Sequence, residues 1–342
     1  MKRYTVPALL LFVFVVAIGG WFLSYRRVAA PPIADVARDG LHGPVAQVTV
    51  ETAPLVDRFG EWVEAASSLE SETVYDQQGR VTDLRRYRSD NSLDYRLVSR
   101  YEEGNLVEEA SFDGFETPLY TWNYSYDEGE LAALSGYDEG GRQEFKTVYT
   151  YAEDRLATET SYNADESLNY VTDYSYTASG YTRATTYYSR GEPEYHKVEK
   201  FAGDNLSEEL AYGLEDTLLY RVSYRYNDRG RLLEETAYGA DGVLEYRLEN
   251  DYDSAGNLTE TTEFDADNEP FFSYGYSYDE RDTIVERSSR SVDGSGSTLR
   301  YDYTYDDFGN WTLRRSSRLV TRFGEDVFEP FELTRRTLSY HD

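Results

Sequence analysis

The residues of this chain that could carry catalysis are its carboxylates and its three histidines. Cysteine is absent, which excludes thiolate nucleophiles, thiolate metal sites and disulfides. His42, His196 and His341 are far apart in the sequence and offer little material for a zinc site or a catalytic triad. With 64 acidic residues, close carboxylate pairs arise by number alone and do not indicate a glycosidase. We therefore expect no enzyme, no cofactor and no metal site.

Acidic turns make calcium binding an alternative, because Ca²⁺ prefers hard oxygen ligands. The turns around Asp265 and Asp267 and around Asp306 and Asp307 are examples. A calcium-binding β-roll needs the same ligand pattern in every unit, and no such pattern recurs here. The sequence favours solvated turn acids that keep the molecule soluble.

Aromatic side chains at every second position form the other candidate site. Tyr120, Trp122 and Tyr124 make one such row, and Tyr274 and Tyr276 belong to another. Alternation with a period of two is typical of a strand that has one buried face. The rings could form the inward packing of the fold, which we favour, or a platform on which sugars stack.

These rows belong to a repeat of about 25 residues that fills most of the chain. In each unit an aromatic anchor is followed by a short polar turn and a Leu-like residue. Successive anchors are 25 to 27 residues apart, and the longer spacings fall where a turn or loop has extra residues. Such constancy is expected where strand register decides which face is buried. The anchors are Tyr75, Tyr101, Tyr126, Tyr151, Tyr176, Phe201, Tyr226, Tyr252, Tyr278 and Tyr305.

Each unit contains two strands, which predicts an all-β fold. One strand runs from the Leu-like residue to a second aromatic, as from Leu258 to Phe264, and a returning strand ends at the next anchor. Asp, Asn and Gly between them supply the conformations of tight hairpin turns. Ten anchors therefore predict roughly twenty antiparallel strands in an array of β-hairpins, and the sequence leaves open whether this array closes into a shell or extends as a ribbon. We expect an N-terminal β cap at 45–74, repeats at 75–310 and a C-terminal β cap at 311–342.

The first 27 residues are predicted to be a membrane anchor or a signal peptide. Val6 to Leu23 is apolar apart from glycines and one proline. Eighteen residues at about 1.5 Å each span roughly 27 Å, which is enough to cross a hydrocarbon core. We favour an uncleaved anchor, whereas cleavage near Ala17 would release a secreted protein. Both alternatives export the rest of the chain, and residues 28–44 are expected to form a linker.

The repeat resembles that of the YD-repeat family, the tyrosine-aspartate repeats also seen in RHS proteins. Tyr-Asp turns begin at Tyr75, Tyr252 and Tyr305. The last of these turns contains Gly309-Asn310-Trp311, which resembles the unit that ends the array in bacterial envelope members of the family. The resemblance covers about residues 45–342. It implies an exported all-β array of stacked hairpins, for which binding of carbohydrate or of a protein partner is often suspected.

Charge and export together predict an extracytoplasmic binding or scaffold protein. The net charge of −30 argues against nucleic acid, whose phosphates require a basic footprint. All 64 acidic residues follow residue 27, and such a region is expected outside, away from anionic cytoplasmic lipid. We predict a non-catalytic, membrane-anchored protein of the bacterial cell envelope that binds carbohydrate or envelope proteins through aromatic rows or sheet edges. The alternatives are a purely structural envelope component and a carbohydrate-active enzyme.

Overall fold

The computed structural model describes residues 35–342, which are almost entirely β-structure. The predicted anchor or signal peptide at 1–27 lies outside the described residues. Within the described part, no helix has the length and apolar character that crossing a bilayer requires. The elements are α1 (Asp35–Arg38), β1 (Val45–Arg58), β2 (Glu61–Glu64), β3 (Ser68–Tyr75), β4 (Val81–Tyr87), β5 (Leu93–Glu102), β6 (Asn105–Asp113), β7 (Pro118–Asp127), β8 (Glu130–Asp138), β9 (Gln143–Ala152), β10 (Arg155–Asn163), β11 (Leu168–Thr177), β12 (Gly180–Ser189), β13 (Glu192–Ala202), β14 (Asn205–Tyr212), a 3₁₀ turn (Leu214–Asp216), β15 (Leu218–Tyr226), β16 (Leu232–Gly239), β17 (Leu244–Tyr252), β18 (Leu258–Phe264), β19 (Pro270–Tyr278), β20 (Ile284–Ser291), β21 (Gly296–Tyr305), β22 (Trp311–Arg322) and β23 (Glu325–Tyr340).

The strands close into one antiparallel ring. From β3 to β23 each strand pairs with the next along the chain. The strand β1 pairs with β3 on one side and with β23 on the other, so that Val50 lies opposite both Ser71 and Arg336. The ring therefore has 22 strands, and β2 forms a separate short hairpin with β1.

The predicted all-β antiparallel fold is confirmed, but the predicted array of hairpins is wrong, because the sheet is a closed barrel. We expected the strands before and after the repeats to cap the two ends of the array. Instead they pair with each other, from Val48 opposite Leu338 to Pro54 opposite Glu332. Twist accumulates from strand to strand, so a long sheet curls until its ends can meet. Closure leaves the ring without a free edge, which removes the predicted sheet edges as a binding surface.

A clasp formed by residues 35–44 holds the two closing strands together. The His42 amide donates to Asn310 Oδ1 (2.7 Å), and Asn310 Nδ2 donates back to the His42 carbonyl (2.8 Å). On the other side of the seam, the Val81 amide donates to Asp35 Oδ2 (2.7 Å). The clasp thus ties the turn before β22 to the start of β4, across β23, β1 and β3.

Apolar packing beneath the clasp forms the largest buried cluster among the described residues. It consists of Val36, Leu41, Val45, Val48 and Tyr75, all at most 8% exposed. Burying such side chains contributes roughly 1.5–3 kcal/mol each relative to leaving them exposed. The core of this barrel therefore lies at its seam, where closure has to be stabilised.

The anchor tyrosines join neighbouring hairpins at one end of the barrel, here called the tyrosine end. Each anchor is the last or next-to-last residue of its strand. Five anchors donate their hydroxyl to the backbone carbonyl of the Leu-like residue twenty positions earlier, on the neighbouring strand that no turn joins to theirs at this end. The pairs are Tyr126 to Leu106 (2.9 Å), Tyr151 to Leu131 (3.1 Å), Tyr176 to Leu156 (2.9 Å), Tyr252 to Leu232 (2.7 Å) and Tyr278 to Leu258 (2.8 Å).

Arginines in the turns reinforce the same end. The guanidinium of Arg80 lies 4.2 Å from the centre of the Tyr101 ring and donates to the carbonyl of Gly104 in the next turn (3.0 Å). Arg231 lies over Tyr252 in the same way, at 5.8 Å, and donates to the Ala255 carbonyl (3.3 Å). Each such turn therefore contacts the next one around the rim.

Replacing Tyr278 by Phe should lower the free energy of unfolding by about 1 kcal/mol, because it removes one hydroxyl-to-carbonyl hydrogen bond and keeps the ring. Urea titration of the full chain measures this change. Tyr226 is a matched control, since it is also an anchor but no hydrogen bond of its hydroxyl is found in the described chain. Tyr226→Phe should change the free energy of unfolding by much less. Equal losses in the two variants would contradict a stabilising hydrogen bond from the Tyr278 hydroxyl to the neighbouring hairpin.

Exposed apolar side chains stand at the opposite end of the barrel, here called the far end. Phe59, Phe115 and Phe323 lie at hairpin tips and are 107%, 88% and 105% exposed. Phe59 and Phe323 also have positive φ, at 58° and 54°, and each is followed by a glycine that continues the turn. The left-handed region is unfavourable for a bulky side chain, whereas Asn tolerates it.

Replacing Phe59 or Phe323 by Asn should therefore stabilise the barrel, by about 0.5–1 kcal/mol each. The control is Phe115→Asn, which removes a ring that is also largely exposed (88%) from a residue without positive φ. Thermal unfolding should show a gain for the first two variants and no gain for the third. A gain of the same size in all three would show that exposure, and not backbone strain, is the cause.

Candidate functional site

The aromatic rows line the inner wall of the barrel. Residues directly opposite each other on neighbouring strands face the same side of a sheet. Tyr124, for example, lies opposite Leu134, and following such pairs around the ring places the rows of all returning strands on one face. Buried strand residues such as Thr147 (2% exposed) and Thr172 (3% exposed) lie on that face. It is therefore the enclosed one.

The inner wall surrounds a lumen. Barrel diameter grows with strand number, and a ring of 22 strands is wider than its own side chains can fill. The helix α1 packs against the wall at the tyrosine end, beside Val48 and Tyr75. The inner-wall contacts described below join residues on the same strand or on neighbouring strands, and none of these contacts between described residues crosses the lumen.

The first predicted row, on β7, forms a half-buried aromatic patch on this wall. The rings of Tyr120 and Trp122 are 4.6 Å apart and tilted by 50°. Trp122 lies opposite Gly136 of β8, which in turn lies opposite Phe145 of β9. A Cβ at Gly136 would come within 2.2 Å of the Phe145 ring, so glycine is what lets the aromatic groups converge here.

A carboxylate lies beside this patch on the other neighbouring strand. Glu109 of β6 is directly opposite Trp122, and the Tyr124 hydroxyl donates to it (2.7 Å). A ring next to a fixed carboxylate is suited to a sugar, because the ring stacks on the apolar face while the carboxylate accepts hydrogen bonds from hydroxyl groups.

The second predicted row, on β19, has the same construction. The rings of Phe272 and Tyr274 are 4.8 Å apart and tilted by 54°, and Glu263 of β18 lies opposite Phe272. Tyr276 follows on the same face. The structure does not bring the two predicted rows together, because around the ring eleven strands separate β7 from β19 on one side and nine on the other.

A belt of glutamates on the inner wall is the feature that sequence reasoning missed. Tyrosine hydroxyls donate to these glutamates from the next strand, as from Tyr170 to Glu159 (2.5 Å) and from Tyr220 to Glu209 (2.8 Å). The signal was present in the spacing, since the belt includes glutamates fifty residues apart, at every second repeat. The belt consists of Glu109, Glu159, Glu199, Glu209, Glu235 and Glu263.

Aspartates in the acidic turns accept hydrogen bonds from backbone amides of the same turn. Asp306 Oδ1 accepts the amides of Phe308 (3.0 Å) and Asn310 (2.9 Å), and Asp138 Oδ1 accepts those of Gly140 and Arg142. Burial is the largest single influence on Asp306, but hydrogen bonds from the Tyr340 hydroxyl and from these two amides outweigh it and lower the pKa of the carboxyl. At Asp138 the hydrogen bond from the Arg142 amide is the largest influence, and it lowers the pKa. Within residues 35–342, no group of three or more acidic or histidine side chains is arranged to hold a metal ion.

The three histidines lie in separate places. The His196 ring stacks on Tyr212 (4.8 Å) on the outer wall, and its Nε2 is 3.8 Å from Asp216. His341 Nε2 lies 3.1 Å from the Tyr75 carbonyl, and the His42 backbone belongs to the clasp. This arrangement provides no shared site for the three rings.

Comparison with known proteins adds the following. A family model described as "Uncharacterised protein" matches residues 214–294, and no curated protein matches the chain. A porin-like protein from Bacteroides uniformis is similar at 13% identity and a TM-score of 0.32, over 87% of this chain and 99% of that one. A porin-like protein from Bacteroides vulgatus gives 11% identity and a TM-score of 0.23, over 87% and 98%. The TcdB2-TccC3-Cdc42 structure gives 13% identity and a TM-score of 0.23, over 76% of this chain and 20% of that one.

The strand pairing of the described residues shows a closed antiparallel β-barrel. Its lumen is lined by aromatic rings and carboxylates.

Alkaline pH should unfold this barrel cooperatively. Burial raises the pKa of Tyr120 and of Tyr303 to about 12, whereas an unfolded tyrosine titrates near pH 10. The folded chain thus holds these protons more tightly, so stability is full below about pH 10 and is lost as the pH rises from there towards about 12. Phenolate absorbance and the circular dichroism of the sheet should change together in this window. Ionisation of the inner-wall tyrosines near pH 10 with the sheet intact would contradict this.

Proposed function

We propose that the protein is a non-catalytic binding module of the bacterial cell envelope that takes its ligand into the lumen. The observation that carries the proposal is the repeated pairing of an inner-wall aromatic patch with a carboxylate on the adjacent strand. It occurs at Trp122 with Glu109 and at Phe272 with Glu263. Carbohydrate is the ligand class that this combination fits best, because sugars present both apolar faces and hydroxyl groups.

The charged outer wall of the barrel favours surroundings of water over lipid. Ion pairs bridge its neighbouring strands, as between Lys200 and Glu208 (2.6 Å), Arg225 and Glu234 (3.0 Å) and Arg300 and Glu286 (2.9 Å). Such charges are well solvated in water and would be costly against lipid. The predicted N-terminal anchor, and not the wall of the barrel, is then the membrane attachment in this proposal. The resemblance to YD repeats agrees with export but stays a prediction.

The inner wall also supports a role without catalysis. A glycosidase needs two carboxyl groups at a fixed separation, one of them with a raised pKa. Burial raises the pKa of Glu263, but the residues directly opposite it on the inner wall, Leu248 and Phe272, supply no second carboxyl group. The other belt glutamates bind phenol hydroxyls or cations of the wall itself. One such case is Glu199, whose two carboxylate oxygens accept hydrogen bonds from Nε and Nη2 of Arg183 (2.7 and 2.6 Å).

Replacing Trp122 by Ala should weaken glycan binding by tenfold or more, about 1.4 kcal/mol, because a central stacking ring is lost. A glycan array of neutral and acidic oligosaccharides, probed with the full chain, identifies the ligand, and titration compares the variants. The matched control is Tyr162→Ala, which removes an aromatic ring from the outer wall.

Equal losses for Trp122→Ala and Tyr162→Ala would contradict binding at the β7 patch. Failure of the full chain to bind any glycan on the array would favour the purely structural envelope component. Hydrolysis of a bound oligosaccharide that disappears in Glu263→Gln would favour the carbohydrate-active enzyme.

A further inference from the structure

The charge of the inner wall is divided between two sectors of the ring. From β6 to β18 it carries the glutamate belt. From β20 through β23 and β1 to β4 arginines predominate on it, with Glu329 and Glu332 of β23 on the same face, although the chain as a whole has a net charge of −30. These arginines are Arg86, Arg287, Arg314, Arg318 and Arg336.

Arg336 lies at the centre of this basic sector without a carboxylate partner. Its guanidinium is stacked 3.6 Å from the centre of the Trp311 ring. Its Nε is buried and has no hydrogen-bond acceptor, and no carboxylate of the described chain is within ion-pair distance of it. Residues 1–34 contain no Asp or Glu, so they cannot supply one either. Burial first, and then repulsion from Arg314, lower the pKa of Arg336 to about 10, against weaker attraction to Tyr75 and to the carboxylate of Asp39 in the clasp.

Arg314 lies on the adjacent strand and makes the site doubly cationic. Its guanidinium is 5.6 Å from the centre of the same Trp311 ring, and its Nε is also buried without an acceptor. One terminal nitrogen donates to Thr334 Oγ1 (3.0 Å) and lies 3.6 Å from Glu332. Its side chain as a whole is 31% exposed and lies on the inner wall. Glu332 is thus the one carboxylate of the described chain within ion-pair distance of either guanidinium group.

Cations on the inner wall of the acidic sector do have carboxylate partners. Arg183 makes two hydrogen bonds to Glu199, and Lys197 lies 3.2 Å from Glu199 and 3.4 Å from Glu209. The wall can therefore pair its cations, and the absence of such a pair at Arg336 is specific to the basic sector. Burying a charge without a partner is costly, so a site of this kind is best explained by a counter-charge that arrives with a ligand.

We propose that Arg314 and Arg336, held on Trp311, bind an oxyanion group of the ligand in the lumen. Guanidinium groups present planar, paired donors that match carboxylate, sulfate or phosphate. The proposal rests on the lumen as the binding site and narrows the ligand to an acidic carbohydrate, with neutral parts stacked on the aromatic patches and a charged group on the basic sector.

The experiment is a thermal unfolding series of the full chain in detergent, with sodium phosphate or sodium acetate against sodium chloride at equal ionic strength. Phosphate should raise the Tm of the unsubstituted chain more than chloride does, because binding to the folded state stabilises it. In Arg336→Met the phosphate concentration that gives half of the full Tm shift should rise at least tenfold. Acetate tests whether a carboxylate suffices, and a shift with either oxyanion that requires Arg336 supports the site.

The matched control is Arg225→Met, which removes an outer-wall arginine and should leave the oxyanion response unchanged. Should Arg336→Met fail to fold, Arg336→Lys keeps the charge but lacks the planar fork, and it should still raise the midpoint. An Arg336 variant that responds to both oxyanions like the unsubstituted chain would overturn the proposal, and so would equal effects of oxyanions and chloride.

The outcome is separable from that of the glycan test. If no glycan binds but the phosphate shift depends on Arg336, the oxyanion site stands and the carbohydrate function fails. If glycans bind through Trp122 and the phosphate shift survives Arg336→Met, the function stands and the oxyanion site fails.

Discussion

Pairing of β1 with β23 is the interaction on which the rest of the structure depends. Without it the sheet would have two long unpaired edges, which invite association with other chains. The chain concentrates its stabilising contacts at this point. The largest described apolar cluster lies here, and the clasp through His42 and Asn310 ties the turns on either side. Closure also creates the lumen, and with it the distinction between an enclosed aromatic wall and a hydrated charged one.

The repeat makes such a closure possible with little hydrophobic core. In a wide ring each strand contacts its two neighbours, so stability is a sum of local terms, as in other repeat proteins. The tyrosine suits this wall because its ring covers apolar surface while its hydroxyl reaches a backbone carbonyl or a glutamate on the next strand. The wall can therefore be both stable and polar, which leaves side chains such as Trp122 and Arg336 available for a ligand.

The sequence predicted the local structure well but left open whether the hairpins close into a shell. Period-two rows and Asp-Gly turns determine strands and hairpins through contacts within one or two repeats, so anchors such as Tyr126 and Tyr278 could be assigned to strand ends. Pairing of β1 with β23 joins residues from opposite ends of the chain, and no local pattern encodes it. The aromatic rows were predicted as candidates, whereas Glu109 and Arg336 become meaningful when the register places them opposite Trp122 and near Trp311.

Closure can be measured directly by cross-linking the seam. Thr49 and Thr337 are directly paired on β1 and β23, and residues so paired are close enough for a disulfide. Because the chain has no cysteine of its own, oxidation of the Thr49→Cys/Thr337→Cys variant should give one intramolecular bridge in the folded monomer. The control, Thr49→Cys/Ser223→Cys, should give none. Failure of the first pair to form the bridge, or equal bridging in both variants, would contradict a closed barrel.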